Sequence, residues 1–272
     1  MRNEMNDDPA ERQRLRATFN AAAERYHRAR PSYPAQLFDD LFALAYLSET
    51  SRLLEVGCGT GRATSPLAER GFKITCVELG ADLASAATRN LASFPNVKVI
   101  NQSFEEWKPP ADVAFDLVYA ATAWHWIDPK LRYLKAHQVL SPHGHLAFWD
   151  AVHVFPDAGD QFFRELQPVY DEIGEGVSSD HIWPTPAQLQ DSQEEILATR
   201  LFTDVVVRRY DWEVEYDAES YIDLLNTFSG HIAMAEWKRE RLYGEIRRRL
   251  AERPSGRLRR HWGVVLNVAR KI

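Results

Sequence analysis

The sequence predicts an α/β fold, a mostly parallel sheet with helices on both faces. Three observations lead there. From Arg52 onward, apolar runs of five to seven residues alternate with helical periodicities. That alternation lasts for about 100 residues, and its strands show little polar alternation, as strands covered on both faces do. The first run ends in a glycine cluster, LLEVGCGTG at 53–61, at the position where an open parallel sheet presents its ligand crevice.

Each element follows from its local pattern. The first 18 residues are polar and charged and are expected to be a frayed or loosely helical tail. From Pro34, the recurrence of Leu37, Phe38, Leu41, Phe42 and Ala45 predicts a helix. Arg52 to Val56 reads as a buried strand. Ala63 to Arg70 reads as a helix stopped by Gly71, with Pro66 in or near its first turn. FKITCVE (72–78), NVKVI (96–100) and FDLVYAA (115–121) are the next strands, with a helix over Ala81 to Leu91. A helix over Lys130 to Leu140, a turn at SPHG (141–144) and a strand at HLAFWD (145–150) complete the alternation.

Beyond residue 150 the pattern changes. Residues 151–200 read as mostly helical, with a stripe of Phe162, Phe163, Leu166, Val169, Tyr170 and Ile173 that Pro168 should kink. TDVVVRRYDWEV (203–214) alternates as a strand, Ala218 to Glu252 reads as a helical block, and HWGVVLNVARK (261–271) as a final strand. The expected organisation is one domain over 1–272. Residues 1–34 cover it, 35–150, 201–214 and 257–272 form its core, and 151–200 and 215–256 are helical lid insertions.

Composition limits the function classes. The net charge is −6, which argues against a protein that coats nucleic acid or anionic membrane. The two cysteines, Cys58 and Cys76, supply neither a disulfide framework nor a metal-ligand spacing. Reduced thiols in the cytoplasm are the simple reading, and the charged N-terminus has no signal-peptide h-region. No window approaches the ~20 apolar residues of a membrane helix. The scattered His137, His143, His145 and His153 are not spaced as a metal site.

The glycines narrow the ligand. Glu78 ends the second strand, 17 residues after Gly61, where nucleotide-binding sheets place the carboxylate that accepts from ribose hydroxyls. The spacing is GxGxG rather than the dinucleotide GxGxxG, with Arg62 in place of the third glycine. Glu55, two residues before Gly57, would repel a pyrophosphate but suits an ammonium group. An adenosine with a cationic tail satisfies all three features, which points to S-adenosylmethionine.

LLEVGCGTG followed by CVEL resembles the class I S-adenosylmethionine-dependent methyltransferases, over residues 35–150. ATAWHWIDP (121–129) is similar to a segment of the trans-aconitate methyltransferase-like group, and YHRARPSYP (26–34) to the N-terminal segment of many small-molecule methyltransferases. The resemblance implies a Rossmann-like seven-stranded sheet whose last strand, 261–271, is antiparallel and lies beside 203–214. It implies that the loop Gly57, Cys58, Gly59, Thr60 and Gly61 lines the methionine and ribose portion, with Glu78 on the ribose diol. Leu79 would pack on the adenine, and Ala121 would lie near the methionine end. Tyr26 and Arg30 would close over the cofactor, Arg30 reaching its carboxylate. Where many relatives have an acidic residue after strand three, this chain has Ser103, so adenine contact would rest on Ser103, Phe104 and backbone. The turn before strand five, often Pro-Gly-Gly in relatives, is Pro142-His143-Gly144.

Methyl transfer from a sulfonium is an in-line displacement, and alignment of the reactants is the protein's main task. His125, between Trp124 and Trp126, is the candidate catalytic base, or else a packed histidine between two pocket-lining tryptophans. Thr227 and Ser229, with His231 nearby, are candidate substrate contacts, or helix-capping groups. Aromatic residues of the insertions suggest a largely apolar pocket for a small organic acceptor, methylated at a carboxylate or hydroxyl oxygen. The chain is expected to act as a monomer or homodimer. Two alternatives stay open. One is a non-catalytic S-adenosylmethionine-binding protein. The other is an RNA methyltransferase that uses residues 238–260, where ten Lys or Arg face three Glu. Leu242, Tyr243, Ile246 and Leu250 recur there at helical spacing, which turns the arginines outward as a solvated face.

Overall fold

The computed structural model describes residues 27–176 and 183–272. The polar tail and Tyr26 lie outside the described residues. In chain order the elements begin α1 (Ala35–Leu44), β1 (Arg52–Val56), α2 (Thr64–Ala68), β2 (Lys73–Glu78), α3 (Ala81–Asn90), β3 (Val97–Asn101) and β4 (Phe115–Ala121). They continue with a 3₁₀ turn (Trp124–Trp126), α4 (Arg132–Val139), β5 (Leu140–His153), α5 (Phe162–Glu165), α6 (Gln167–Glu172) and α7 (Gln193–Ala198). The chain ends with β6 (Phe202–Tyr216), α8 (Ala218–Leu225), α9 (Ser229–Ala233), α10 (Glu236–Ala251) and β7 (Leu258–Lys271).

The seven strands form one sheet in the order β3-β2-β1-β4-β5-β7-β6. Pairings among β3, β2, β1, β4 and β5 are parallel; β7 runs antiparallel to both β5 and β6. The direction of order reverses between β1 and β4, so the crevice above their C-terminal ends is the expected ligand position. One face buries Leu53, Ile74, Leu117, Tyr119, Trp149 and Leu266 under α1 and α2. The opposite face packs Leu54, Val118, Leu146 and Phe148 against Tyr133, Ala136 and Val139 of α4. At roughly 1.5–3 kcal/mol for each large side chain taken from water, these two layers supply the main stabilisation of the sheet.

The third core differs in kind. Helices α5, α6, α8 and α10 bury Phe162, Val169, Tyr221, Leu224, Leu242 and Ile246 against Tyr216, Leu258 and Trp262. Strands β5, β6 and β7 carry this layer because they run on past the crevice: His153 pairs with Trp262, and Trp262 with Trp212. The side chain of Asp217 accepts from the Ser220 amide at 2.8 Å and so caps the start of α8.

Local departures from the sequence expectation have physical causes. The helix expected over 63–70 is a five-residue α2, because the chain after it tightens into i→i+3 bonds at Arg70 and Gly71, the latter at φ +85°. The expected SPHG turn is a bulge inside β5. The register passes from Phe115↔Leu140 to Leu117↔His145, and His143 takes φ +64°, a left-handed conformation that suits glycine better. The kink at Pro168 separates α5 from α6, with the proline at the start of the second helix, where its missing N–H matters least.

Candidate functional site

A cavity of about 340 Å³ opens above the C-terminal ends of β1, β2 and β4, a size suited to a small-molecule site. Its floor is backbone. Gly57 leaves β1 at φ +69° and donates to the Val77 carbonyl at 2.8 Å. A Cβ there would stand 2.6 Å from the Ala123 Cβ, so the glycine lets the two loops cross. Gly59, at φ +57°, has nothing within 4 Å of where its Cβ would be. The main chain is bare toward the cavity at that position.

Glu78 ties this loop to β2. Its carboxylate accepts from the Gly59 amide and from the Gly80 amide, each at 2.8 Å, and the residue is only 7% exposed. Glu55 sits beneath. Its Oε2 accepts from Thr64 Oγ1 at 2.6 Å and Tyr119 OH at 2.7 Å, while its Oε1 is buried with no hydrogen-bond partner among the described residues. Burial raises the Glu55 carboxyl to about 7, with the Glu78 charge adding to that effect. Cys58 lies in the same buried layer; its contact with Cys76 and its burial push the thiol well above its usual range.

Residues 27–33 dock on the loop through side chains. His27 Nδ1 lies 3.0 Å from Thr60 Oγ1, and Asn90 donates to the Thr60 carbonyl at 2.9 Å. Arg62 reaches the His27 carbonyl and, at 3.2 Å, Ser32 Oγ. The residue that replaces a third glycine is therefore a clamp. Tyr33 OH lies 2.9 Å from Thr122 Oγ1, while its ring packs edge-on against Trp149. Thr122 has φ +55°, a strained conformation for a β-branched residue, and lines the cavity directly after β4.

At the other wall, His125 Nδ1 lies 2.9 Å from Asp150 Oδ1, just beyond the last β5 residue paired with β4. The carboxylate fixes the ring's orientation, and Nε2 has no partner among the described residues. Trp126, Ile127, Phe228, Ser229 and Trp262 complete this side.

The sequence-predicted residues divide cleanly. Arg30, Glu55, Gly57, Cys58, Gly59, Thr60, Glu78, Leu79, Phe104, Ala121, His125, Trp126 and Ser229 line one cavity. Gly61, Ser103, Trp124 and Thr227 do not. Gly61, at φ +88°, packs under Leu91, and Ser103 Oγ accepts from the Glu106 amide at 3.2 Å to close a turn. Trp124 is buried by stacking on Phe148 at 5.1 Å. Thr227 is buried and accepts from Arg30 Nε at 2.9 Å, so Arg30 bridges the cover segment to the loop after α8 and lies over the Phe228 ring. Tyr33, Arg62, Thr122 and Asp150 were missed. Asp150 carried a signal, a carboxylate at the C-terminal end of a strand, and Arg62 stood out as the break in the glycine pattern.

These residues fit the adenosine with a cationic tail that the glycine pattern called for. The Oε1 of Glu55 is a buried acceptor without a partner among the described residues, a group that an ammonium would suit, and Gly59 leaves room for a nucleoside against the main chain. Leu79 is 41% exposed, an apolar surface at the cavity edge where an adenine would cover it.

Comparison with known proteins agrees. The profile of the methyltransferase domain family matches residues 54–148. An uncharacterized methyltransferase of Mycobacterium tuberculosis is 28% identical over 245 residues, 90% of each chain. The thiol S-methyltransferase TMT1B of Rattus norvegicus is 31% identical over 169 residues, 60% of this chain and 67% of that one. A candidate type II methyltransferase structure from Anaeromyxobacter dehalogenans shares the fold with a TM-score of 0.61 at 23% identity, over 89% of this chain and 97% of that one. With the glycine floor, the strand-end Glu78 and the order of the sheet, they place this chain in the class I S-adenosylmethionine-dependent methyltransferase family.

Proposed function

We propose that this enzyme methylates an oxygen atom of a small organic acceptor. Glu78 would hold the cofactor's ribose, Leu79 and Phe104 its adenine, and Glu55 its ammonium group beside the Gly57–Gly59 backbone. Bound there, S-adenosylmethionine supplies a methyl group already activated on a sulfonium. The chain's own work is to exclude water, to align the acceptor and, for a hydroxyl acceptor, to take its proton. A carboxylate acceptor needs no base, being ionised at neutral pH.

The observation that carries this reading is the His125–Asp150 pair on the cavity wall. Asp150 holds Nδ1, so Nε2 is the atom offered to an acceptor O–H. The surrounding aromatic wall favours an organic acceptor, with residues 1–34 as cover and 151–200 and 215–256 as lid. Two free thiols, Cys58 and Cys76, support a cytoplasmic setting. Among the described residues no helix is long and apolar enough to cross a membrane.

The test is a methyl-transfer screen with paired hydroxyl, carboxyl, amine and thiol compounds. Oxygen methylation is expected, and His125→Gln should lower kcat on hydroxyl acceptors by roughly 10²-fold or more while leaving cofactor affinity unchanged. Products methylated only at nitrogen or sulfur would defeat the oxygen assignment. Cofactor binding with no turnover on any compound would instead favour a non-catalytic binding protein.

A further inference from the structure

We infer that Arg260 forms the anion-recognition end of the acceptor site, so that the acceptor carries a carboxylate on an apolar body. This rests on the small-acceptor reading above. Arg260 is 7% exposed and faces the third core from β7. Its neighbours Arg259 and His261 point to the opposite side, where both meet Glu213, at 3.6 and 3.1 Å. No carboxylate among the described residues is paired with Arg260. Among the described residues its one hydrogen bond is a long contact of 3.5 Å to Tyr221 OH, and its Nε is buried with no partner among them.

Aromatic rings surround it instead. The guanidinium carbon lies 4.6 Å from the Trp262 ring centre, 5.4 Å from Phe228 and 5.8 Å from Phe163. Trp262 and Phe228 are themselves walls of the cavity, so the charge stands directly behind the acceptor side of the site. Phe228 is the less enclosed of the two rings, on the short loop between α8 and α9.

His153 and His231, packed near it, add no compensating or competing charge. Burial, reinforced by Arg260, lowers His153 to about 2 and His231 to about 4, so both are neutral at pH 7. Glu175, the acid facing His231, is engaged by Lys238 at 2.7 Å. A buried cation without a counter-ion is costly in a fold, and rings compensate it only in part. A planar guanidinium with an unused donor is suited to a carboxylate, which it can grip with two parallel hydrogen bonds. The aromatic surround then accommodates an alkyl or aryl body.

The test uses enzyme loaded with S-adenosylhomocysteine and titrated with hexanoate, benzoate and 3-phenylpropanoate, each beside its neutral amide. At least one acid should bind tenfold or more tighter than its amide. Arg260→Met should erase that preference and Arg260→Lys should keep part of it. Arg260→Met should leave S-adenosylhomocysteine affinity within twofold and hold or raise the melting temperature, because an unpaired buried charge has been removed. No acid preferred over its amide, or a preference that survives in Arg260→Met, would overturn the inference. So would a lower melting temperature, which would make the guanidinium structural. A tenfold loss of S-adenosylhomocysteine affinity would assign it to the cofactor's own carboxylate. Failure of the wild-type protein to bind S-adenosylhomocysteine at all is a separate result, and it would strike the methyltransferase reading itself.

Discussion

The two halves of the cavity are built by different means. The half over β1 and β2 is made from main chain, with Gly59 and Gly80 held by one carboxylate, Glu78, and Gly57 by the Val77 carbonyl. Its parts lie within 24 residues of one another, from Gly57 to Gly80. The half toward the helical layer is made from side chains that meet only in the folded state: His125 with Asp150, Arg30 with Thr227, and Arg260 against Phe228 and Trp262. A backbone floor tolerates few changes, because its shape is set by φ angles and amide directions. A side-chain wall can change its ligand by substitution without disturbing the sheet. The first half therefore suits a fixed cofactor and the second a variable acceptor.

The sharpest way to break that contrast is Glu78→Ala. The carboxylate orders two amides and would hold two ribose hydroxyls. Losing two charge-assisted hydrogen bonds at about 2 kcal/mol each predicts roughly 10³-fold weaker cofactor binding. Calorimetric titration with S-adenosylhomocysteine checks it. A loss under tenfold would show that the loop and not the carboxylate does the binding.

The glycines separate fold from binding. Gly57→Ala meets both a left-handed backbone and a Cβ 2.6 Å from Ala123, with a stability loss of about 2–3 kcal/mol expected in urea unfolding. Gly59→Ala carries only the conformational strain of about 1 kcal/mol, since its Cβ points into open space, yet it would intrude on a cofactor held as proposed above. Gly59→Ala should thus lose more binding than stability, and Gly57→Ala the reverse. Equal profiles for the two variants would contradict the division.

The same division decides what was legible in the sequence. The succession of strands and helices, the glycine loop and Glu78 follow from local period and spacing, because the chemistry of that half lies in one βαβ stretch. Ser103 and Trp124 read as site residues by position, but one closes a turn and the other stacks beneath the wall on Phe148. Thr227 looked like a substrate contact and is instead the anchor of Arg30. Its partner is 197 residues away, a pairing that no local pattern encodes. Asp150 ends a strand that the apolar run alone placed at 145–150, whereas β5 continues to His153 because β7 pairs with it. Side chains brought together by long-range strand pairing are where reading along the chain stops.

Glu55 offers a subtler test. An unfolded chain releases that proton near 4.5, and the folded chain keeps it to about 7. Between those values the folded state binds more protons, so this residue makes stability fall as pH rises through that window. Cofactor binding has the opposite dependence, because an ammonium group favours the ionised carboxylate. Affinity should rise by up to about tenfold per pH unit below 7 and flatten above it, with proton release on binding. Glu55→Gln should abolish the release. Calorimetry in buffers of different ionisation enthalpy reads it, and an unchanged proton count in the variant would exclude Glu55 as the source.

The smallest effect is expected at the basic stretch of α10, whose charge suggests a nucleic-acid surface but whose partners argue otherwise. Arg247 is bonded to Glu219, Arg248 to Glu245 and Glu252, and Arg249 to Glu245. Arg241 bridges Glu172 and Glu245. Phosphate binding needs cations whose counterions are released, and these have carboxylates at 2.6–3.4 Å. Exposed pairs of this kind contribute about 0–1 kcal/mol apiece. Replacing Arg247, Arg248 and Arg249 together by Gln should shift stability by about 1–2 kcal/mol at most and leave small-acceptor turnover within twofold. RNA association should be weak in the wild type and unaltered in the variant across 50–200 mM salt. A steep salt slope that the triple substitution removes would move the acceptor from the aromatic wall to this helix and reverse the comparison between the two halves.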